Sequence, residues 1–383
     1  MNELRIVSFL PSATELACSL GLADQLVGIS HECDFPPNIR NKPVVVHSAL
    51  PIDSMSLGEI DVAVSQQLAS GATLYEVDEQ LLRELAPTHI LTQNLCQVCA
   101  PSGNEITEAL RALPTEPEVL WMSPHSIEDI HNDLRNLARI TGRMKDAERL
   151  IADDHARLLA VAGCVGRAPR RRRVFCAEWI DPVYCCGHWV PEMVEIAGGI
   201  DTLGRKWADS VRVKWEDIVK ASPEVLIVMP CGFDLEGSVA QVDQLLKIPI
   251  CSNLPAVQTG QIYSVDAAYF SRPGLRVVDG TELLAHILHP EFVPWHGRAD
   301  AFRLVPSACA QLLSECTKTC PGCGGEFSCG AGSSEFRCWC TELPPLFPAA
   351  STNSGCLCPS CLTTAIQAKL STESAQFRKD IKP

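Results

Sequence analysis

Ten of the twenty cysteines in this 383-residue chain fall after residue 308, and eight of those lie between Cys320 and Cys361. They are arranged as Cys320-Pro-Gly-Cys323, Cys329, Cys338-Trp-Cys340 and Cys356-Leu-Cys358-Pro-Ser-Cys361. A tetrahedral structural ion takes four thiolates, and a Cys-x-x-Cys turn delivers two of them at once. Eight sulfurs fill two such sites, so the spacing predicts a small module holding two zinc ions. Zinc is preferred over an iron–sulfur cluster because the paired turns resemble zinc ribbons; iron also takes thiolates and stays open. Cys309 and Cys316 stand outside the pattern as packing residues. A second thiol pair, Cys96-x-x-Cys99, follows a strand, with His31 and Cys33 on another predicted loop. It has three readings: a redox pair, two metal ligands, or small buried hydrophobes.

The elements that must carry these groups alternate. Short apolar runs end in turn residues and give way to helical patterns, the rhythm of an α/β fold. Strands are predicted at Arg5–Leu10, Leu26–Ser30, His89–Gln93 and Glu118–Met122. A second half repeats the scheme near Arg173–Trp179, Val225–Met229 and Gln261–Val265. One helix is expected to start at Ser12, since Ser12-Ala-Thr-Glu15 has capping-box spacing. An internal echo supports two similar lobes: Leu81 to Gln93 and Asp217 to Met229 each read helix, Pro stop, strand, with Pro87 and Pro223 in the same place. Between the halves, Ile127, Ile130, Leu134, Leu137, Ile140, Met144, Ala147 and Ile151 recur at helical steps. Ser126 with Asp129 marks the start and Gly163 to Gly166 the stop. A single helix of that length is a rod of roughly 50 Å. The expected organisation is an N-terminal lobe over 1–125, a backbone helix over 126–165 and a second lobe over 170–293. A Cys-rich metal module over 312–365 and a disordered tail over 366–383 follow. The fold class is therefore α/β, with two Rossmann-like lobes joined by one long α-helix and a small zinc-ribbon-like module.

Ligands of open α/β sheets sit beyond the carboxyl ends of the strands. The residues placed there are Pro11 and Ser12, then His31 and Cys33, then Asn94, Cys96 and Cys99. In the second half they are Glu178 and Trp179, Tyr184, His188 and Trp189, Phe233, and Tyr269, Phe270 and Arg272. Aromatic rings, thiols and two histidines converging on one cleft suit a large, flat, partly apolar ligand, one that could carry a metal. Either histidine offers a neutral imidazole to an axial position. The formal net charge of −14 argues against a nucleic-acid surface. No apolar window reaches the roughly 18 residues of a membrane span. The opening residues lack the pattern of a secretory leader, so a cytoplasmic location with reduced thiols is expected.

Arg5-Ile-Val-Ser-Phe-Leu-Pro-Ser-Ala-Thr-Glu-Leu16, the run from Gly21 to His31, and Val194-Glu-Ile-Ala-Gly-Gly199 resemble the cobalamin- and iron-chelate-binding proteins of bacterial importers. The resemblance spans about residues 4–292 and is nearest to the cobalamin binders, in particular a cytoplasmic group without export signals. It implies a non-enzymatic protein holding a corrinoid between two lobes. The alternatives are an iron chelate, haem or a bare metal held by His31, Cys33, Cys96 and Cys99, or a thiol-dependent redox or corrinoid-processing enzyme using Cys96 and Cys99. Importer proteins dock through one surface Glu per lobe. Glu105 and Glu236 lie in comparable loops, but that role is not assigned here. The C-terminal segment resembles a Cys-rich family named for its Cys-Trp-Cys motif, here Cys338-Trp339-Cys340, whose protein partner is unknown.

Overall fold

The structure is a computed structural model that describes residues 3–70, 72–93, 110–111, 113–306, 317–328, 358, 361–362 and 364. The chain divides into two compact units, residues 1–256 with 261–305, and residues 257–260 with 306–383.

The first unit holds two sheets. In chain order its first lobe runs β1 (Ile6–Ser8), α1 (Pro11–Ser19), β2 (Leu26–Ser30), β3 (Val44–Ser48), α2 (Leu57–Ala69), β4 (Tyr75–Val77), α3 (Glu79–Leu85), β5 (His89–Thr92) and β6 (Glu118–Trp121). The strand order is β4-β3-β2-β1-β5-β6, parallel except for the β3–β4 pair. Parallel strands are covered on both faces, so they read as unbroken apolar runs; Ile6, Val7, Ile90 and Leu91 are all fully buried. Helix α1 departs from the expected start. It opens with Pro11 at its first position, and Leu10 is an N-cap with no side-chain bond, so the Ser12–Glu15 capping box does not form. Proline fixes the backbone angle a first turn needs and loses no hydrogen bond there.

The connection to the second lobe is two helices and not one rod: α4 (Ile127–Thr141) and α5 (Met144–Val165). Gly142 ends α4 with φ of 71°, a left-handed cap that glycine adopts without a steric penalty. The chain then reverses. Arg135 on α4 bonds Glu148 on α5 at 3.0 Å, and His131, one turn earlier, meets Asp154, further along α5, at 3.1 Å. Pairing of that kind makes an antiparallel hairpin. Apolar spacing runs unbroken through the turn, which is why the sequence reads as one helix. At 22 residues, α5 alone is the spine. Ala147 and Ile151 enter the first lobe's core, and Val161 enters the second's.

The second lobe contains β7 (Arg172–Ile180), β8 (Val183–Cys185), α6 (Val190–Ile196), β9 (Gly199–Asp201), β10 (Val211–Arg212), α7 (Trp215–Ala221), β11 (Val225–Val228), α8 (Leu235–Leu246), β12 (Ile262–Val265), α9 (Arg276–Leu288) and β13 (Phe302–Leu304). Its order is β10-β8-β7-β11-β12-β13, with β9 also pairing β7. The α/β pattern extends past residue 293, because β13 pairs antiparallel with β12. The internal echo is structural. Helices α3 and α7 both end on a left-handed non-glycine residue, Ala86 (φ 41°) and Ser222 (φ 53°), followed by Pro and a core strand. No helix of the described residues is long and apolar enough to cross a membrane.

Asp133 on α4 gives this hairpin a pH dependence. Burial, with Asp129 nearby, raises its carboxyl to about 7. An acid raised on folding binds more protons in the folded state, so stability falls as pH rises from the ordinary carboxylate range towards 7. Asp133→Asn is expected to raise the unfolding midpoint at pH 8 and to leave it unchanged near pH 3. An equal shift at both values would show that ionisation is not the cause.

Candidate functional site

The strand-end loops of the two lobes face each other. Helix α1, which follows β1, presents Glu15 to the second lobe. Glu15 is 4% exposed, accepts from Arg276 Nε at 2.8 Å and lies 3.4 Å from Arg272. Arg272 also bonds Asp34, in the loop after β2. Burial opposes ionisation of Asp34, but the Arg272 guanidinium outweighs it and holds the carboxyl below its usual range. Arg276 stacks over the Phe35 ring at 4.5 Å. On another part of the junction Arg212 of β10 bonds Asp61 of α2 at 2.6 Å, and a Cβ on Gly58 would stand 2.9 Å from the Asp181 carboxylate. Arg272 is thus a lobe-to-lobe clamp. Glu15, Asp34, Asp61, Arg212 and Arg276 were not anticipated, since their partners lie up to 261 positions away.

Two groups of rings stand at the strand ends. In the first lobe His31 is exposed at the end of β2, and its Nδ1 lies 3.1 Å from the Val46 carbonyl. With Nδ1 protonated and donating to that carbonyl, Nε2 keeps its lone pair. His47 and Tyr75 flank the ring, with centroids at 6.5 and 6.4 Å. In the second lobe Trp179 and Phe233, both half-buried, meet edge to face at 6.0 Å. Tyr184 accepts from Arg212 Nε at 3.0 Å. A shallow groove of about 370 Å³ runs along α2, lined by Met55, Gly58, Val62 and Ala63 among others.

His188 takes a left-handed backbone, φ 51°, held by its N–H to Ala208 O at 2.7 Å. Gly187 permits the approach, because a Cβ there would meet Ala208 O at 2.3 Å. Its Nε2 lies 3.4 Å from Asp209, its ring 5.6 Å from that of His125, and burial lowers its pKa, favouring the neutral donor form.

Other predicted residues lie elsewhere. Trp189 and Phe270, 4% and 1% exposed, pack in the second lobe's core, where the Trp189 indole donates to the Phe270 carbonyl at 2.7 Å. Tyr269 is buried beneath Arg276. Cys33 is buried, with Sγ 3.1 Å from Thr14 Oγ1, and burial pushes its thiol up to about 12. A protonated buried thiol is a packing group, not a metal ligand. Glu178 accepts from Ser210 and is raised by burial. Pro11 and Ser12 are buried in the first turn of α1. Asn94, Cys96, Cys99 and Glu105 lie outside the described residues, and Glu236 is paired with Arg303.

In the second unit, β14 (Thr317–Thr319) and β15 (Glu326–Ser328) form an antiparallel ribbon around the Cys320–Cys323 turn. Cys320, Cys323, Cys358 and Cys361 place their sulfurs within 4.8 Å of one another. Cys323 and Cys358 are 3.7 Å apart, and two thiolates on one tetrahedral zinc stand roughly 3.8 Å apart. Backbone N–H groups of Cys358 and Gly322 donate to Cys320 Sγ at 3.2 and 3.4 Å, lowering that thiol to about 6. Neighbouring Cys358, Cys323 and Cys320 push Cys361 up to about 12. Four sulfurs cannot all ionise side by side without a cation, so the donor set fits a metal ion. Among the described residues one four-thiol array is assembled; Cys329, Cys338, Cys340 and Cys356, which the second predicted site needs, lie outside the described residues.

Residues 6–269 match the family described as periplasmic binding protein. The chain belongs to that family. Residues 320–363 match the Cysteine-rich CWC family. Among relatives of the periplasmic binding protein region, the "Vitamin B12-binding protein" of Vibrio cholerae is 23% identical over 290 residues, covering 73% of this chain and 86% of its own. The "Uncharacterized ABC transporter substrate-binding lipoprotein YvrC" of Bacillus subtilis is 21% identical, covering 75% and 80%. Two solved structures share the fold. The periplasmic heme-binding protein RhuT from Roseiflexus sp. RS-1 has a TM-score of 0.58 at 22% identity, covering 76% of this chain and 99% of its own. The periplasmic vitamin B12 binding protein BtuF of Vibrio cholerae has a TM-score of 0.55 at 20% identity, covering 74% and 96%. The two-lobed α/β architecture of the first unit therefore has known counterparts.

Proposed function

We propose that the first unit binds a corrinoid between its lobes, without catalysis, and that the second unit holds structural zinc. The observation that carries the corrinoid reading is His31. It stands exposed at a strand end that faces the opposite lobe, its Nδ1 is committed to a carbonyl, and its Nε2 is left to coordinate. Metal-ligating imidazoles are oriented by this kind of contact through their other nitrogen. Trp179 and Phe233 supply apolar faces from the other side. The relatives named for vitamin B12 binding support the choice of ligand. A macrocycle needs more wall than the α2 groove, so it uses the facing loops of both lobes. Cytoplasmic residence is part of the proposal, since the Cys320 array works only with reduced thiols.

Equilibrium dialysis of the full chain with cyanocobalamin and with cobinamide tests this. One corrinoid is expected to be retained per chain, and Trp179→Ala is expected to weaken retention about tenfold, in line with a lost aromatic contact. His31→Ala is expected to remove any change in the cobalt spectrum on binding. Retention of haem with no retention of either corrinoid would move the reading to an iron chelate. Retention of neither ends it.

A further inference from the structure

The α4–α5 hairpin carries a group of metal-ligating side chains separate from the strand-end loops. His131 on α4 is 1% exposed, and its Nε2 lies 3.1 Å from Oδ2 of Asp154 on α5, which is 5% exposed. A carboxylate only accepts, so this contact makes Nε2 the protonated nitrogen and leaves the lone pair on Nδ1. Nδ1 is buried and has no hydrogen-bond partner among the described residues. Glu128 Oε2 stands 3.7 Å from it, and His155 Nε2 stands 3.5 Å from the same oxygen. Those separations are long for hydrogen bonds. They suit ligands of one ion, which in a tetrahedron with bonds near 2.0 Å lie roughly 3.3 Å apart. All three donor atoms fall within 4.8 Å of one another. Protonating Nδ1 instead would bury an N–H with no acceptor in bonding range.

We propose that Glu128, His131 and His155 form a site for a divalent transition ion of the zinc, cobalt and nickel class, with Asp154 as the outer carboxylate that orients His131. Two imidazoles and one carboxylate select borderline ions over calcium or magnesium. Arg135 donates to Glu128 Oε1 at 2.9 Å, fixing the carboxylate while Oε2 faces the histidines. The ion enters from solvent, because the Glu128 and His155 side chains are 55% and 49% exposed. Once bound it ties the first turns of α4 to the middle of α5, the helix that enters both lobes' cores.

The test uses the full, untagged chain with its cysteine array already filled with zinc. Cobalt(II) is added, and uptake is followed by visible spectroscopy and dialysis. One further cobalt per chain is expected, with ligand-field bands and no thiolate charge transfer. His155→Gln, at a position whose side chain is 49% exposed, is expected to weaken uptake at least tenfold, with circular dichroism checking that it folds. Asp154→Asn should weaken it by about tenfold, the usual effect of removing an outer partner; circular dichroism checks that it folds. Equal uptake by wild type and His155→Gln overturns the proposal, as does the absence of any cobalt signal beyond the thiolate set.

Discussion

Cys320→Ser is expected to cost the full-length chain one equivalent of bound metal and to expose its C-terminal unit to protease. Cys320 is 1% exposed, and two backbone N–H groups already point at its sulfur. A serine hydroxyl is a harder, poorly ionised donor that cannot replace a thiolate on zinc. The described part of the unit has a two-stranded ribbon and a backbone hydrogen bond from the Leu362 N–H to the Cys358 carbonyl. Modules of that size rarely bury enough apolar surface to fold unaided, and metal binding supplies their folding free energy. Chelation should reproduce the variant's behaviour in the wild-type chain. Metal analysis together with limited proteolysis decides the matter. Unchanged metal content in Cys320→Ser, or a unit that resists protease once stripped, would rule out the array as a structural site.

Glu15→Ala should destabilise the first unit by about 3–5 kcal/mol, the range for removing one partner of a buried ion pair. The carboxylate faces Arg272 and Arg276, whose side chains are 17% and 15% exposed. Its loss leaves Arg272 paired with Asp34 and removes the carboxylate that pairs with Arg276. By contrast the Arg212–Asp61 bridge, with Arg212 53% exposed, falls among surface pairs that contribute about 0.2–1 kcal/mol. Asp61→Asn should therefore be almost silent in the same thermal unfolding experiment. The clamp also sets an acid limit. Arg272 holds the Asp34 carboxyl below its usual range, so its stabilisation is present above that range and is lost as pH falls through the lowered value. A Glu15→Ala midpoint equal to wild type would mean that the Glu15 ion pairs add nothing to the stability of the junction.

Much of the architecture was legible because it is written locally. The strand Leu26–Ser30 was read with its true ends and the six other predicted strands came within one or two residues, whereas β3, β4, β8, β9, β10 and β13 were not expected. The Pro87 and Pro223 echo marked corresponding helix–strand joints in the two lobes. Where the reading failed, a local signal had a competing local meaning. Ser12 carries capping-box spacing, but Pro11 already sets the first turn. The i, i+3, i+4 pattern from Ile127 to Ile151 continues through Gly142, and apolar period alone does not distinguish a long rod from two helices folded back to back. Trp189 and Phe270 were placed beside the cleft because they follow strands, yet a large ring at a strand end can as readily turn inward to fill a core.

Two things were determined by the amino-acid order itself: a repeated α/β rhythm and the Cys-x-x-Cys pairs, since both depend on residues a few positions apart. Tertiary structure alone decided which groups meet. Glu15 reaches Arg276 across 261 positions, His131 finds Asp154 only because the chain reverses at Gly142, and Cys323 meets Cys358 across 35. Periodicity and turn chemistry are short-range properties of a chain. Charge pairing and ligand convergence depend on distances in space, which exist only once the lobes and the hairpin have packed.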